Sequence, residues 1–101
     1  MPNVSVKVLL FATFRKKYGS KELIIECDGT IKGLINSVSN VLGREFYDDV
    51  YDEKRGMVRD DLIFAINGRN IKDLKGNIGL KDGDVVAIFP PLAGGLSPHT
   101  L

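Results

Sequence analysis

The feature that most constrains this chain is its single long amphipathic helix. Ile31, Leu34, Ile35, Val38, Val41 and Leu42 recur at helical spacing and form one apolar stripe. Thr30 stands where an N-cap belongs, and Gly43 lies just past the last apolar residue. The predicted helix therefore runs over 31–42. Gly33 sits inside it at an expected cost of about 1 kcal/mol relative to alanine. With only one long helix available, one face of a sheet can pack on it. At 101 residues there is room for one domain.

The remaining periodicity is that of strands. Val4, Val6, Val8 and Leu10 share one parity, which predicts a first strand over 4–11 with one buried face. Residues 13–19 carry Arg15, Lys16 and Lys17 and read as a loop with a helical turn. Residues 21–27 form the second strand, antiparallel to the first across a short connection. Phe46, Tyr47, Val50 and Tyr51 suggest a short second helix packed by its aromatics, followed by a charged surface turn at residues 52–56. Residues 62–66 read as a strand ending at Asn67-Gly68, a hairpin turn, with 69–71 as a short return strand. Residues 72–80 read as a loop or single helical turn. Val85 to Phe89 is the last strand. The first and last strands are the most uniformly apolar, which suits central positions. Leu9, Ile24, Ile63, Ala65, Val86 and Ile88 put apolar residues in both parities. Either the loops and short helix cover the second face, or that face meets a partner.

Composition limits the function classes. A chain that is 44% hydrophobic and 27% charged is expected to be globular. A net charge of +1 offers no general attraction for nucleic acid or an acidic membrane. No apolar run approaches the ~20 residues of a membrane span, and the N-terminus shows no secretory signal, so a cytoplasmic location is expected. Cys27 is the only cysteine and reads as a small buried hydrophobe rather than a redox thiol. His99 is the only histidine and lacks catalytic partners. Asp48, Asp49, Asp52 and Glu53 lack calcium-loop spacing and read as a solvated acidic face. Arg15, Lys16 and Lys17 read as solvated charges. Residues 76–79 do not have the spacing of a phosphate loop. No metal site is expected.

The last strand is followed by Pro90-Pro91-Leu92-Ala93-Gly94-Gly95. Two prolines cannot extend a sheet ladder. Two glycines then give a thin end that can pass through a narrow channel. At ~3.5 Å per residue, residues 91–95 reach roughly 15 Å. Three blocks carry a family resemblance: Ala65-Ile66-Asn67-Gly68, Leu80-Lys81-Asp82-Gly83-Asp84-Val85-Val86, and Phe89-Pro90-Pro91-Leu92-Ala93-Gly94-Gly95. They resemble the small subunit of molybdopterin synthase, the thiamine-pathway (ThiS-type) sulfur carrier and the archaeal ubiquitin-like small modifiers. Val6-Lys7-Val8-Leu9-Leu10-Phe11-Ala12, with Phe14-Arg15 after it, fits the family's opening strand.

The resemblance implies an α+β fold of β-grasp (ubiquitin-like) type. Its mixed sheet of four to five strands packs on one main helix, with a short second helix. It implies a domain over 1–91, a flexible tail over 92–95 and an extension over 96–101. Pro90, Pro91, Leu92, Ala93, Gly94 and Gly95 would form the tail received by a partner's channel. Gly95 would be the working residue, adenylated by an E1-like enzyme and converted to a thiocarboxylate. The carrier itself is not an enzyme and binds no cofactor; ATP and a sulfur donor are used by its partners. Those partners are the adenylating enzyme and the large molybdopterin synthase subunit. The alternative is a protein modifier joined through Gly95 to target-protein lysines. The chain departs from the pattern in Leu96-Ser97-Pro98-His99-Thr100-Leu101, because a peptide bond after Gly95 blocks adenylation. A processing protease cleaving after Gly95 would remove the extension. Otherwise the extension is foreign to the natural chain, or this copy is inactive as a carrier.

Overall fold

A computed structural model describes residues 3–19, 22–74 and 78–91. Its elements are β1 (Val4–Leu10), α1 (Ala12–Tyr18), β2 (Glu22–Cys27), α2 (Ile31–Leu42), α3 (Arg44–Val50), β3 (Tyr51–Asp52), β4 (Met57–Val58), β5 (Ile63–Ile66), β6 (Arg69–Asn70) and β7 (Val85–Phe89). A 3-10 turn occupies Ile71–Asp73. Five strands form one sheet in the order β2-β1-β7-β5-β6, while β3 and β4 form a separate hairpin. β7 runs parallel to β1; the other pairings are antiparallel. The outermost chain segments thus meet in the middle of the sheet, as their apolar sequences suggest.

The inner face of the sheet follows from parity. Val6, Val8 and Leu10 of β1, Ile25 and Cys27 of β2, Phe64 and Ile66 of β5, and Val86 and Ile88 of β7 are all buried in one cluster. α2 adds Leu34, Ile35 and Val38 to it. Val41 does not join them: it is 62% exposed, at the solvent side of the last helical turn. α3 closes the same side with Phe46, Tyr47 and Val50. The short helix therefore covers the inner face and leaves the other open. Val86 and Ile88 belong to the core, whereas Ile24 and Ile63 are 62% and 47% exposed.

Two segments are more regular than their sequences suggest. Residues 12–18 form a full helix, because Phe14 and Tyr18 fall one turn apart and Gly19 caps the end in the left-handed region. The charged turn at residues 52–56 closes a hairpin in which Asp52 Oδ1 accepts from Lys54 N and Arg55 N. The return strand is shorter than expected, since Ile71 begins the 3-10 turn. At the hairpin before it, Asn67 and Gly68 have φ of 51° and 85°. That is the pair of left-handed conformations a type I′ turn requires.

Gly33 has a structural reason. Thr30 Oγ1 accepts from Gly33 N at 2.9 Å, and Asp28 Oδ1 accepts from both Thr30 N and Thr30 Oγ1. A Cβ at residue 33 would lie 2.1 Å from Asp28 Oδ1 and 2.7 Å from Thr30 Oγ1. Alanine would therefore break the cap that starts α2. Helix propensity favours Gly33→Ala by about 1 kcal/mol, while losing the cap and its supporting hydrogen bonds costs about 2 kcal/mol. Urea denaturation of Gly33→Ala is expected to show a net loss of about 1 kcal/mol. Asp28→Ala/Gly33→Ala is expected to lose less than the two single changes summed, because both act on one network.

Candidate functional site

The site is the root of the C-terminal tail. β7 ends at Phe89; Pro90 is buried and Pro91 is exposed. The register Leu10↔Ile88 places Phe11 beside Phe89 at the ends of two parallel strands. Their rings stack with centroids 4.3 Å apart and planes 7° from parallel. Both point to the open face. Leu9, Ala87 and Ala65 lie across the same face in one row, and Ile63 pairs with Phe89. The Arg15 guanidinium carbon sits 6.0 Å from the centre of the Phe11 ring. The tail therefore leaves from an apolar patch with a cation at its border.

α1 holds that border in place. Phe11 N donates to Ile88 O, keeping Phe11 in the sheet line. Ala12 then turns the chain with a φ of 53°. A left-handed alanine costs roughly 1–2 kcal/mol, and here it swings the next side chains to the inner face. Phe14 is buried against Phe46, with centroids 6.4 Å apart, and Tyr18 meets Phe46 edge-on at 5.4 Å. Lys17 Nζ lies 2.7 Å from Asp49 Oδ2 and 2.8 Å from Glu45 Oε2. The Tyr18 hydroxyl donates to the same Asp49 oxygen.

These contacts shift titrations. The hydrogen bonds from the Lys17 ammonium to Asp49 and Glu45 raise its pKa well above the ordinary lysine value. Burial, then the hydrogen bond to Asp49, raises the pKa of Tyr18. Burial opposes ionisation of Asp49, but the hydrogen bonds from Lys17 and Tyr18 together outweigh it and lower its pKa. Burial and a hydrogen bond to Glu53 push Tyr47 up to about 12.

The charged groups read from sequence as solvated are thus partly structural. Asp49, Asp52 and Glu53 each accept from a neighbour, and Lys17 ties α1 to α3, while Arg15 contacts the Phe11 ring at the start of its own helix. Cys27 is 4% exposed in the core, and burial raises its thiol pKa. Of the expected tail, Pro90 and Pro91 are described. Leu92, Ala93, Gly94 and Gly95, the extension over 96–101 and its His99 lie outside the described residues. Sequence reasoning missed Phe11 and Phe89 as a pair. The available signal was an aromatic at the outward parity of each central strand's end. A groove of about 570 Å³, lined by Ile31, Tyr51, Val58, Leu62, Ile71 and Leu74 among others, lies apart from the stacked rings.

Comparison with known proteins decides the family. The model of the ThiS family matches residues 8–95. The chain belongs to the ThiS family. It is 31% identical to small archaeal modifier protein 3 of Haloferax volcanii over 99 residues, covering 91% of this chain and all of that protein. It is 34% identical to the molybdopterin synthase sulfur carrier subunit of Drosophila melanogaster over 96 residues, covering 93% and 94% of the two chains. The solution structure of small archaeal modifier protein 1 from Methanosarcina acetivorans superposes with a TM-score of 0.75 at 31% identity, covering 94% of this chain and all of that one. The fold is the β-grasp of ubiquitin-like sulfur carriers and modifiers. Among the described residues, no helix is long and apolar enough to cross a membrane.

The depressed Asp49 pKa makes stability depend on pH. A carboxylate whose folded pKa lies below its unfolded value stabilises the fold above the unfolded pKa. That contribution is lost as pH falls through the folded one. Wild-type protein is expected to lose stability as pH drops below Asp49's ordinary value of 3.8. Asp49→Asn is expected to be less stable near neutral pH and to show a shallower acid limb. Thermal melts across pH 2–7 would read both.

Proposed function

We propose that this chain is a sulfur carrier for molybdopterin (molybdenum or tungsten cofactor) biosynthesis, working through Gly95 as its terminal residue. The observation that carries this reading is the site of tail exit. Exposed Pro91 follows the end of the central strand β7 beside the Phe11–Phe89 stack, so a partner docked on the apolar patch would sit next to the start of the tail. From Pro91 to Gly95 the chain can extend roughly 15 Å, enough to enter a narrow pocket. Kinship with a molybdopterin synthase sulfur carrier subunit points to the acceptor.

The chemistry needs little from the carrier. A free carboxylate is a poor electrophile. An E1-like enzyme transfers AMP from ATP onto the Gly95 carboxylate and releases pyrophosphate. Hydrosulfide supplied by a sulfur donor then attacks the acyl carbon and displaces AMP, leaving a thiocarboxylate. In the larger synthase subunit the thiocarboxylate sulfur attacks a carbon of the pterin precursor and displaces an oxygen leaving group; water then cleaves the acyl carbon–sulfur bond, leaving the sulfur on the pterin and returning the Gly95 carboxylate. Gly94 and Gly95 present no Cβ to hinder either enzyme. Residues 1–91 form the handle, 92–95 the arm, and cleavage after Gly95 by a processing protease frees the carboxylate from 96–101. The carrier contributes neither general base nor metal.

A second reading has its own support. Kinship with small archaeal modifier protein 3 over that protein's whole length favours a modifier joined through Gly95 to target lysines. The same acyl-adenylate serves both, with a lysine amine in place of sulfur. Branched Gly-Gly remnants in digested protein from the native cell would support this reading; their absence would leave the carrier role alone.

Intact-mass measurement tests the carrier role. Protein ending at Gly95, incubated with ATP, an E1-like enzyme and a sulfur donor, is expected to gain the mass of one sulfur-for-oxygen exchange. An unchanged mass, where a known carrier is modified, would overturn it. Phe89→Ala should weaken binding to the adenylating enzyme by tenfold or more, as loss of a central aromatic contact does. Its stability should fall by only about 1 kcal/mol, the scale of one aromatic pair.

A further inference from the structure

We infer that the free edge of β2 is a second docking site, built to accept an extended segment of another protein with the pattern basic–x–apolar–x–basic. The site is separate from the tail root and independent of the sulfur-carrier reading.

The orientation of the edge follows from β1. Lys7 N donates to Asp84 O at 2.9 Å, Gly83 N to Ser5 O at 2.8 Å and Phe11 N to Ile88 O at 3.2 Å. The odd-numbered residues of β1 thus direct their backbone groups toward the β7 side. Alternation leaves Val4, Val6 and Val8 facing β2, so Val4–Cys27, Val6–Ile25 and Val8–Leu23 are the hydrogen-bonded pairs. The N–H and C=O groups of Glu22, Ile24 and Glu26 therefore point away from the sheet. Among the described residues no strand pairs with that side, since β2 ends the strand order. An added strand would find these donors and acceptors ready for a ladder.

The side chains at the same positions select the occupant. Glu22, Ile24 and Glu26 share the open face and are all exposed. Ile24, at 62%, is as exposed as any large apolar residue among the described ones. A strand laid along β2 would set one apolar side chain opposite Ile24 and one side chain opposite each carboxylate. Opposite charges across a ladder attract and like charges repel. Two copies of β2 pairing antiparallel about Ile24 would put Glu22 against Glu26 twice, which disfavours a second copy of this chain. Among the described residues the only internal competitor for these carboxylates is Lys7, 3.8 Å from Glu22 and solvent-exposed. Such a pair is worth little. Charged residues on edge strands commonly bar unwanted pairing; here they bar acidic and self-complementary strands and admit a basic one.

The test is a titration of 15N-labelled full-length chain with the capped heptapeptide Thr-Lys-Thr-Val-Thr-Lys-Thr. Shifts centred on residues 22–26 and slowed exchange of the Ile24 amide are expected. Ile24→Pro removes an N–H that makes no bond to β1 and so should leave the sheet intact. It should weaken the peptide at least tenfold. Should that variant fail to fold, Glu22→Lys/Glu26→Lys, confined to exposed side chains, decides the matter. It should weaken the lysine peptide about tenfold and instead bind the peptide with Glu in place of Lys. Absence of β2 shifts at millimolar peptide would overturn the inference, as would Ile24→Pro binding as well as wild type. Sedimentation showing a dimer that Ile24→Pro disperses would also overturn it, by making the occupant a second copy.

Discussion

The parallel pairing of β1 with β7 is the constraint on which the rest depends. It joins the two most apolar strands at the centre of the sheet and gives both a buried inner face. It also fixes where the chain leaves the fold. Because the strands run the same way, Phe11 and Phe89 arrive at the same end and stack there. An antiparallel arrangement would have sent the tail out beside Val4 instead, far from α1.

The two faces of the sheet do different work. The inner face is filled by α2 and α3 and supplies the cohesion: Val6, Val8, Leu10, Phe64, Val86 and Ile88 are all almost fully buried. On the outer face Ile24, Ile63 and Phe89 are exposed, while Ala65 is buried and Leu9 and Ala87 half-buried. Leaving Ile24 and Ile63 exposed brings no folding benefit, so their cost is offset only when something covers them. Around the tail root the proposed cover is a partner of the carboxyl terminus. Along β2, where Glu22 and Glu26 flank Ile24, the chemistry selects a different kind of contact.

Much of the fold was legible in the chain. The bounds of α2, its Thr30 cap and the Asn67-Gly68 turn were readable because each depends on residues within a few positions of one another. Of the tail motif, only the end of the ladder at Pro90 and Pro91 can be compared with the structure, and it follows from proline acting on its own backbone. α1 was underread because its decisive contacts, Phe14 with Phe46 and Lys17 with Asp49, span some thirty residues. Gly33 looked like a defect of the helix until Asp28 and Thr30 were seen to occupy the space of its absent side chain. Val41 matched the helical stripe yet faces water, since a stripe records angle but not how far the neighbouring layer extends.

The sequence by itself determined the local grammar: which side of each strand avoids water, where the long helix begins and ends, and that two prolines stop the last strand. These follow from side-chain polarity, capping and backbone freedom, which act over a turn or two. Only the tertiary structure decided that the first and last strands lie parallel in register, that two aromatic rings meet at their ends, and that among the described residues no strand pairs with the outer side of β2, where Glu22 and Glu26 flank Ile24. Those outcomes depend on which distant segments bury each other most completely, and no short stretch of chain holds that information.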